Sequence, residues 1–184
     1  MVTLVLVCTG TKYNNYHVEN LIHMIDKFGN LKYDKVKIIK EGEGNVFDKL
    51  QIFKECTDNE YYIYFDLDVI IKGDVSILLR EDFTTIFAWW RNPAHTPLNS
   101  SIMSWSGDNS YIYYDFFEQE DYNKVKYWRG MDEYLYKETY CDLYDKVCWS
   151  YRFDTRELNY PVCLFNHGYN EEMYRIEWTQ KYLL

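Results

Sequence analysis

Five apolar residues run directly into a pair of aspartates at Tyr61-Tyr62-Ile63-Tyr64-Phe65-Asp66-Leu67-Asp68. A short apolar run of this kind predicts a β-strand that is buried on both faces. Residues i and i+2 of an extended segment point the same way, so Asp66 and Asp68 can converge on one ligand. A solvated turn is the alternative, because aspartate is common in turns. The apolar strand before the two carboxylates favours a functional pair.

Two strand–helix units precede this segment. Strands are predicted at residues 2–8 and 36–39, and amphipathic helices at residues 17–28 and 46–56. A strand, helix, strand, helix, strand order is typical of an open parallel sheet. Ligands bind such sheets outside the carboxyl ends of the strands. Thr9 and Gly10 are therefore expected at the same edge as the two aspartates.

The second half of the chain is less regular. Strands are predicted at residues 84–90, 101–105 and 162–165, and helices at residues 109–120 and 130–141. Residues 91–97, which contain two of the three prolines, are predicted to form a loop. The 184 residues show no linker or internal repeat. We therefore expect one α/β domain over residues 1–184.

Charge and cysteine content exclude several classes of protein. The net charge is -9, with 20 Lys and Arg against 29 Asp and Glu, and this argues against nucleic-acid binding. Five cysteines without a C-x-x-C spacing argue against a disulfide framework or a zinc site. The apolar run at residues 2–8 is too short to span a membrane and lacks the features of a signal peptide. These observations predict a cytoplasmic protein with no membrane span.

Five segments, in the right order, resemble GT-A-fold glycosyltransferases of family 8, which includes glycogenin and bacterial galactosyl- and glucosyltransferases. They are residues 7–13 (VCTGTKY), 48–50 (DKL), 64–74 (YFDLDVIIKGD), 99–103 (NSSIM) and 165–168 (FNHG). Two features depart from the family pattern. Ser101 stands where the family has glycine, and Tyr169-Asn170 follow where the family has Lys-Pro.

The resemblance implies a Rossmann-like fold with a mostly parallel central sheet flanked by helices. It implies transfer of a sugar, with retention of anomeric configuration, from a nucleoside-diphosphate sugar to a hydroxyl acceptor on a glycan, a protein or a small molecule. A UDP-sugar is the expected donor. It also implies a divalent cation, Mn²⁺ or Mg²⁺, held by Asp66, Asp68 and His167. Oxygen ligands suit such hard cations.

The resemblance also assigns roles to individual residues. Nucleotide binding is implied for Thr9, Gly10, Tyr13, Lys49, Asp66 and Asp68. Sugar binding is implied for Asn99, Ser100 and Ser101. Catalytic roles are implied for Asp132 and Glu133, although the family more usually has glutamine at the second position. His17, His23 and His95 lack such a context and are expected to be structural or on the surface.

Several of these residues have simpler explanations. Lys49 can be a solvated helix residue, and His167 can be a buried structural histidine. Asp132 and Glu133 can mark the start of a helix, where acidic residues are favoured.

Two other functions stay open. In a haloacid-dehalogenase-like phosphatase, Asp66 would be the nucleophile and Asp68 the general acid. Ile70 stands where that motif has Thr or Val, and the motif here follows the third predicted strand instead of the first. A non-catalytic nucleotide-sugar-binding protein is the other alternative, because the chain is short for this fold and lacks the Lys-Pro.

Overall fold

The computed structural model describes residues 1–92 and 96–184. His95 lies outside the described residues, and so does part of the loop predicted at residues 91–97. The strands are β1 (Val2–Val7), β2 (Lys35–Ile39), β3 (Tyr61–Phe65), β4 (Val69–Ile71), β5 (Thr84–Phe87), β6 (Leu98–Ser106), β7 (Asp142–Tyr144), β8 (Cys148–Ser150) and β9 (Val162–Leu164). The helices are α1 (Asn15–Met24), α2 (Gln51–Glu55), α3 (Tyr111–Phe117), α4 (Glu120–Lys126), α5 (Met131–Glu138) and α6 (Glu177–Gln180).

The central sheet has six strands in the order β2-β1-β3-β6-β5-β7. β1 pairs in parallel with β2 and β3, as the sequence predicts, while β6 runs antiparallel to both β3 and β5. The amino end of β6 therefore lies beside the carboxyl end of β3. The Asp66 amide nitrogen donates to the Ser101 carbonyl oxygen at 2.8 Å, which joins these two strand ends.

A second sheet has three strands in the order β4-β9-β8. β4 begins directly after Asp68, and the Phe165 amide nitrogen donates to the Asp68 carbonyl oxygen at 2.7 Å. This hydrogen bond fixes the segment that contains His167 close to the aspartate pair. β8 and β9 are parallel, so the turns that follow them also lie at one edge.

The four predicted helices are present with different ends, whereas most of α4 and all of α6 were not predicted. α1 begins at Asn15 because the Asn14 side chain accepts from the Tyr16 amide nitrogen and caps the helix. After α1 the chain continues as a π-helix, Ile25–Gly29, which ends at Asn30 with a left-handed φ of 50°. The helix expected over residues 46–56 is a 3₁₀ turn, Asp48–Leu50, followed by α2.

The central sheet packs a hydrophobic cluster against each face. Leu4 and Leu6 belong to one cluster and Val5 to the other, as alternation along a strand requires. Ile63 and Phe65 in β3 are likewise fully buried. The prediction of strands buried on both faces is thus confirmed. In the part of the chain that the structure describes, no helix has the length and apolar character needed to cross a membrane.

Candidate functional site

A pocket of about 770 Å³ opens where the carboxyl ends of β1 and β3 meet the amino end of β6. Most of the residues singled out from the sequence line it: Thr9, Tyr13, Lys49, Asp66, Asp68, Asn99, Ser100, Ser101, Asp132 and His167. Segments far apart in sequence supply these side chains. The pocket lies at the sheet edge where ligands of open α/β sheets are expected to bind.

Asp66 pairs with Lys49 across the pocket floor. The Lys49 Nζ lies 2.7 Å from the Asp66 Oδ1, and both side chains are mostly buried. Lys49 also donates to the carbonyl oxygen and the Oγ of Ser100, each at 3.3 Å. The hydroxyl of Tyr64 is a further donor to Asp66. Lys49 thus joins the helical turn after β2 to the ends of β3 and β6.

Asp68 is more deeply placed, with 5% of its surface exposed. Its Oδ2 accepts from the Tyr13 hydroxyl at 2.7 Å and from the Lys12 Nζ at 3.3 Å. Burial raises the pKa of Tyr13, and the neighbouring Asp68 carboxylate raises it further, so the phenol stays protonated and acts as a donor. Tyr13 therefore holds Asp68, and its hydroxyl is committed to that carboxylate.

Asp132 occupies the centre of a hydrogen-bond network at the amino end of β6. Its Oδ1 accepts from the Ser100 amide nitrogen at 2.9 Å and from the Ser100 Oγ at 2.6 Å. Its Oδ2 accepts from Arg91 Nη2 at 2.6 Å and from Asn99 Nδ2 at 3.4 Å. Burial opposes ionisation, but the charges of Arg91 and Lys49 outweigh it and lower the pKa of Asp132. The pocket therefore contains a fixed, ionised carboxylate.

Gly10 does not line the pocket but supports its wall. Its φ is +66°, and a Cβ at this position would lie 2.5 Å from the Gly44 Cα. The loop after β1 therefore packs directly on the loop before α2. The Asp48 carboxylate holds that second loop by accepting from the amide nitrogens of Gly44 at 2.6 Å and Asn45 at 3.2 Å. Asp48 is buried and was not singled out from the sequence.

Glu133 is not brought into the pocket, in contrast to the prediction. Its carboxylate bonds the Lys137 Nζ at 2.7 Å and the Arg129 amide nitrogen at 3.3 Å. Lys137 lies one turn along α5, so this contact is an ordinary helical ion pair. The side chain stabilises the start of α5, the alternative that the sequence had left open.

The predicted metal ligands all line the pocket, but the structure does not gather them into a ligand set. Among residues 1–92 and 96–184, no group of three or more His, Cys, Asp and Glu side chains is placed so that it could hold a metal ion. Asp66 and Asp68 each bond a lysine instead. The residues as placed do not fit a divalent cation, although their chemistry suits one. Metal dependence stays a prediction of the sequence.

His167 is exposed at the rim of the pocket with a left-handed φ of 59°. Partial burial of the ring lowers its pKa, and the positive charges of Arg91 and Arg152 lower it further. The imidazole is therefore neutral at pH 7 and free to accept a hydrogen bond.

The pocket carries more positive than negative charge, although the whole chain is acidic. Three carboxylates line it: Asp66, Asp68 and Asp132. Five cationic side chains line it as well: Lys12, Lys49, Arg91, Arg129 and Arg152. Only Lys49 among these cations was singled out from the sequence, because isolated basic residues in loops form no motif. The excess of positive charge suits an anionic ligand.

The chain matches no protein-family model and no curated protein. Its fold, however, is similar to that of solved glycosyltransferases. GlyE of Streptococcus pneumoniae TIGR4 superposes with a TM-score of 0.63 at 13% identity, over 91% of this chain and 56% of that one. A glycosyltransferase involved in glycosylation of the major capsid of PBCV-1 gives a TM-score of 0.67 at 10% identity, over 94% of this chain and 98% of that one.

The galactosyltransferase LgtC, in complex with donor and acceptor sugar analogs, gives a TM-score of 0.60 at 10% identity, over 90% of this chain and 87% of that one. This chain spans about half the length of GlyE. Structural similarity at identities this low shows the fold alone. The chemistry of this chain must therefore be inferred from the residues of its pocket. The chain has the GT-A fold of these glycosyltransferases, as the sequence predicts.

Proposed function

We propose that the chain transfers a sugar from a nucleoside-diphosphate sugar, a UDP-sugar in the first instance, to a hydroxyl acceptor. The observation that carries the proposal is the pocket at the ligand-binding edge of a GT-A fold. That pocket combines an excess of cationic side chains with an ionised carboxylate in a network of hydroxyl and amide groups. A nucleotide sugar needs both, because one end is anionic and the other rich in hydroxyls.

The cationic side chains would hold the diphosphate. When the bond between the sugar and the diphosphate breaks, negative charge develops on the leaving group, and fixed positive charges stabilise it. Lys49 is suited to this role because it is mostly buried and already positioned by Asp66 and Ser100. A positioned cation loses little freedom on binding the ligand, which favours tight binding.

The sugar would lie against Asp132, Asn99 and Ser100. Because Arg91 and Ser100 already hold Asp132 in place, its carboxylate would accept sugar hydroxyls without rearranging. A carboxylate near the anomeric carbon also stabilises the positive charge that develops there. Retention of anomeric configuration belongs to the proposal on the strength of the family resemblance. The anomeric configuration of the product, measured by NMR, tests it, and inversion would contradict it.

A divalent cation, when bound, would neutralise charge on the leaving diphosphate. The sequence predicts Mn²⁺ or Mg²⁺ at Asp66, Asp68 and His167. In this structure the first two residues bond Lys49 and Lys12, so those lysines would have to move first. Binding and turnover assays should therefore be run both with Mn²⁺ and with EDTA.

The similarity to solved glycosyltransferases determines which assay to use. LgtC is known in complex with donor and acceptor sugar analogs, and by similarity this chain would also bind both kinds of ligand. Release of UDP from a panel of UDP-sugars, measured with and without mono- and disaccharide acceptors, tests transfer. Asp132→Asn serves as the inactive control. Turnover that the variant loses supports the proposal, and GDP-sugars are tested in the same way before a negative result is accepted.

The same assays separate the alternatives. A nucleotide-sugar-binding protein would bind donor without releasing UDP under any condition. A phosphatase would release phosphate from simple phosphomonoesters and would lose that activity in Asp66→Asn. Binding with no turnover would contradict the transferase proposal, and so would phosphatase activity without donor binding.

A further inference from the structure

Arg152 differs from the other cationic side chains of the pocket because none of the described residues is its partner. Lys12, Lys49 and Arg91 each pair with a carboxylate, and the guanidinium of Arg129 lies over the Trp128 ring at 5.0 Å. Within residues 1–92 and 96–184, Arg152 forms no hydrogen bond, ion pair or ring contact. Its charge is available to a ligand.

The backbone around Arg152 is nevertheless well fixed. Arg152 lies in the turn that follows β8, and this turn is closed by hydrogen bonds to the Ser150 carbonyl oxygen from the amide nitrogens of Phe153 at 2.9 Å and Asp154 at 3.2 Å. The ring of Tyr151 stacks on Phe165 with centroids 4.7 Å apart. Because the backbone of the turn is already fixed, only the Arg152 side chain has to be ordered when a ligand binds.

The same turn contains a carboxylate that could have paired with Arg152, but it is already occupied. Asp154 accepts from Arg156 Nε at 3.0 Å and from Arg156 Nη2 at 2.6 Å, a bidentate pair. Arg156 points to solvent, with 80% of its side chain exposed. Asp154, the carboxylate nearest to Arg152 in sequence, therefore neutralises the outward-facing Arg156 and does not pair with Arg152.

A second unpartnered donor lies beside Arg152. β8 and β9 are parallel, so the residues that follow them, Arg152 and Asn166, line the same side of the pocket. The Asn166 Oδ1 accepts from the Ser150 Oγ at 3.1 Å, while its Nδ2 is buried with no hydrogen-bond partner in the part of the chain that the structure describes. A buried donor without an acceptor is costly, and an acceptor-rich ligand would satisfy it.

We propose that Arg152, with the Asn166 amide beside it, binds the diphosphate of the nucleotide-sugar donor. The inference rests on the proposed function and identifies a residue that would bind the diphosphate of its donor. A guanidinium presents a planar fork of N–H donors that matches phosphate oxygens, and the Asn166 Nδ2 adds a further donor. Phosphate oxygens accept hydrogen bonds only, so they satisfy both groups at once.

Calorimetric titration of UDP and of uridine into the wild type, Arg152→Gln, Arg152→Lys and Arg80→Gln tests this inference. Arg152→Gln should weaken UDP binding roughly 10- to 100-fold, as expected for hydrogen bonds to charged groups, and leave uridine binding unchanged. Arg152→Lys should fall between, because it keeps the charge and loses the fork. Arg80→Gln is the control, since Arg80 does not line the pocket, its guanidinium lies over the Tyr144 ring, and its loss frees no carboxylate among the described residues.

The outcomes separate this inference from the function on which it rests. Arg152→Gln that binds UDP as tightly as the wild type overturns the inference and leaves the proposed function intact. An equal loss for UDP and uridine also overturns it, because it indicates a structural role. An equal loss of UDP binding in Arg152→Gln and Arg80→Gln indicates only long-range charge and likewise overturns it. A wild type that binds neither UDP nor GDP contradicts the proposed function itself.

Discussion

The Nζ of Lys49 lies 2.7 Å from the Oδ1 of Asp66. This ion pair joins two motifs that the sequence identifies separately, the helical turn after β2 and the aspartates after β3. It also leaves the ammonium group facing the pocket, within 3.3 Å of Ser100. Binding of an anionic ligand can therefore use a cation whose position is fixed before the ligand arrives.

Replacing Lys49 by methionine should lower turnover with a nucleotide sugar by about 100-fold, because the leaving diphosphate loses a fixed charge. Lys49→Arg should retain part of the activity. Lys54→Gln is the control, since Lys54 lies on α2 with its ammonium over the Tyr113 ring at 5.4 Å and does not line the pocket. Steady-state kinetics on the three variants measures this. Equal turnover in Lys49→Met and the wild type would show that Lys49 has no part in the reaction.

Asp132 and Glu133 should differ sharply when each is replaced by its amide. Asp132→Asn removes the ionised carboxylate of the pocket and should reduce turnover by about 100-fold. Glu133→Gln alters only the ion pair with Lys137 and should keep turnover within about twofold of the wild type. Steady-state kinetics of the two variants and the wild type, under the same conditions, measures this difference. A large loss in Glu133→Gln would restore the catalytic role that the sequence suggests and contradict the placement described above.

Asp132 should also make stability depend on pH. Its pKa is lowered in the folded chain by Arg91 and Lys49 against the effect of burial. The stabilisation is therefore present at neutral pH and is lost as the pH falls below about 4, through the lowered pKa. In urea unfolding at pH 7, the wild type should exceed Asp132→Asn by about 2 kcal/mol in free energy of unfolding. The gap should shrink by pH 3, and a constant gap would show that the ionised form contributes nothing.

Gly10 and Gly107 provide a matched pair of glycines. Both have left-handed φ values, +66° and +72°, but a Cβ on Gly10 would lie 2.5 Å from the Gly44 Cα, while a Cβ on Gly107 meets nothing within 4 Å. Gly107→Ala should cost only the strain of the backbone conformation, about 1 kcal/mol. Gly10→Ala should cost at least about 2 kcal/mol more, because backbone must move. Urea unfolding measures both, and equal losses would show that the two loops do not pack as described.

β1 and β3 follow from the sequence because each one is largely buried on both faces and reads as a nearly continuous apolar run. β3 was predicted with the bounds that the structure shows. β8 was not predicted, because its three residues, Cys148-Trp149-Ser150, end in a serine and do not form an apolar run like that of β9. The prediction for β6 was too short at its amino end, because Asn99 and Ser100 are polar and do not continue the apolar pattern. Both of these buried polar side chains are hydrogen-bonded to Asp132, a tertiary contact that the sequence does not show.

The sequence predicts the residues of the site that belong to a motif. It does not predict those whose position depends on tertiary contacts. Asp66 and Asp68 stand out because two carboxylates follow an apolar strand. Neighbouring residues of a helix point about 100° apart, so the sequence alone cannot say which of Asp132 and Glu133 faces the pocket. Arg152 lies in an irregular turn, and its importance depends on the absence of a partner, which is a property of the fold.

Calorimetric titration of UDP into the wild type and into Lys49→Met tests the central claim most directly. Each protein is titrated with Mn²⁺ and again with EDTA, so that the result does not depend on the metal. The wild type should bind UDP in at least one of the two buffers, and Lys49→Met should bind it at least about tenfold more weakly, because the pocket loses a fixed positive charge. If the wild type binds neither UDP nor GDP in either buffer, the pocket is not a nucleoside-diphosphate site and the proposed function is wrong.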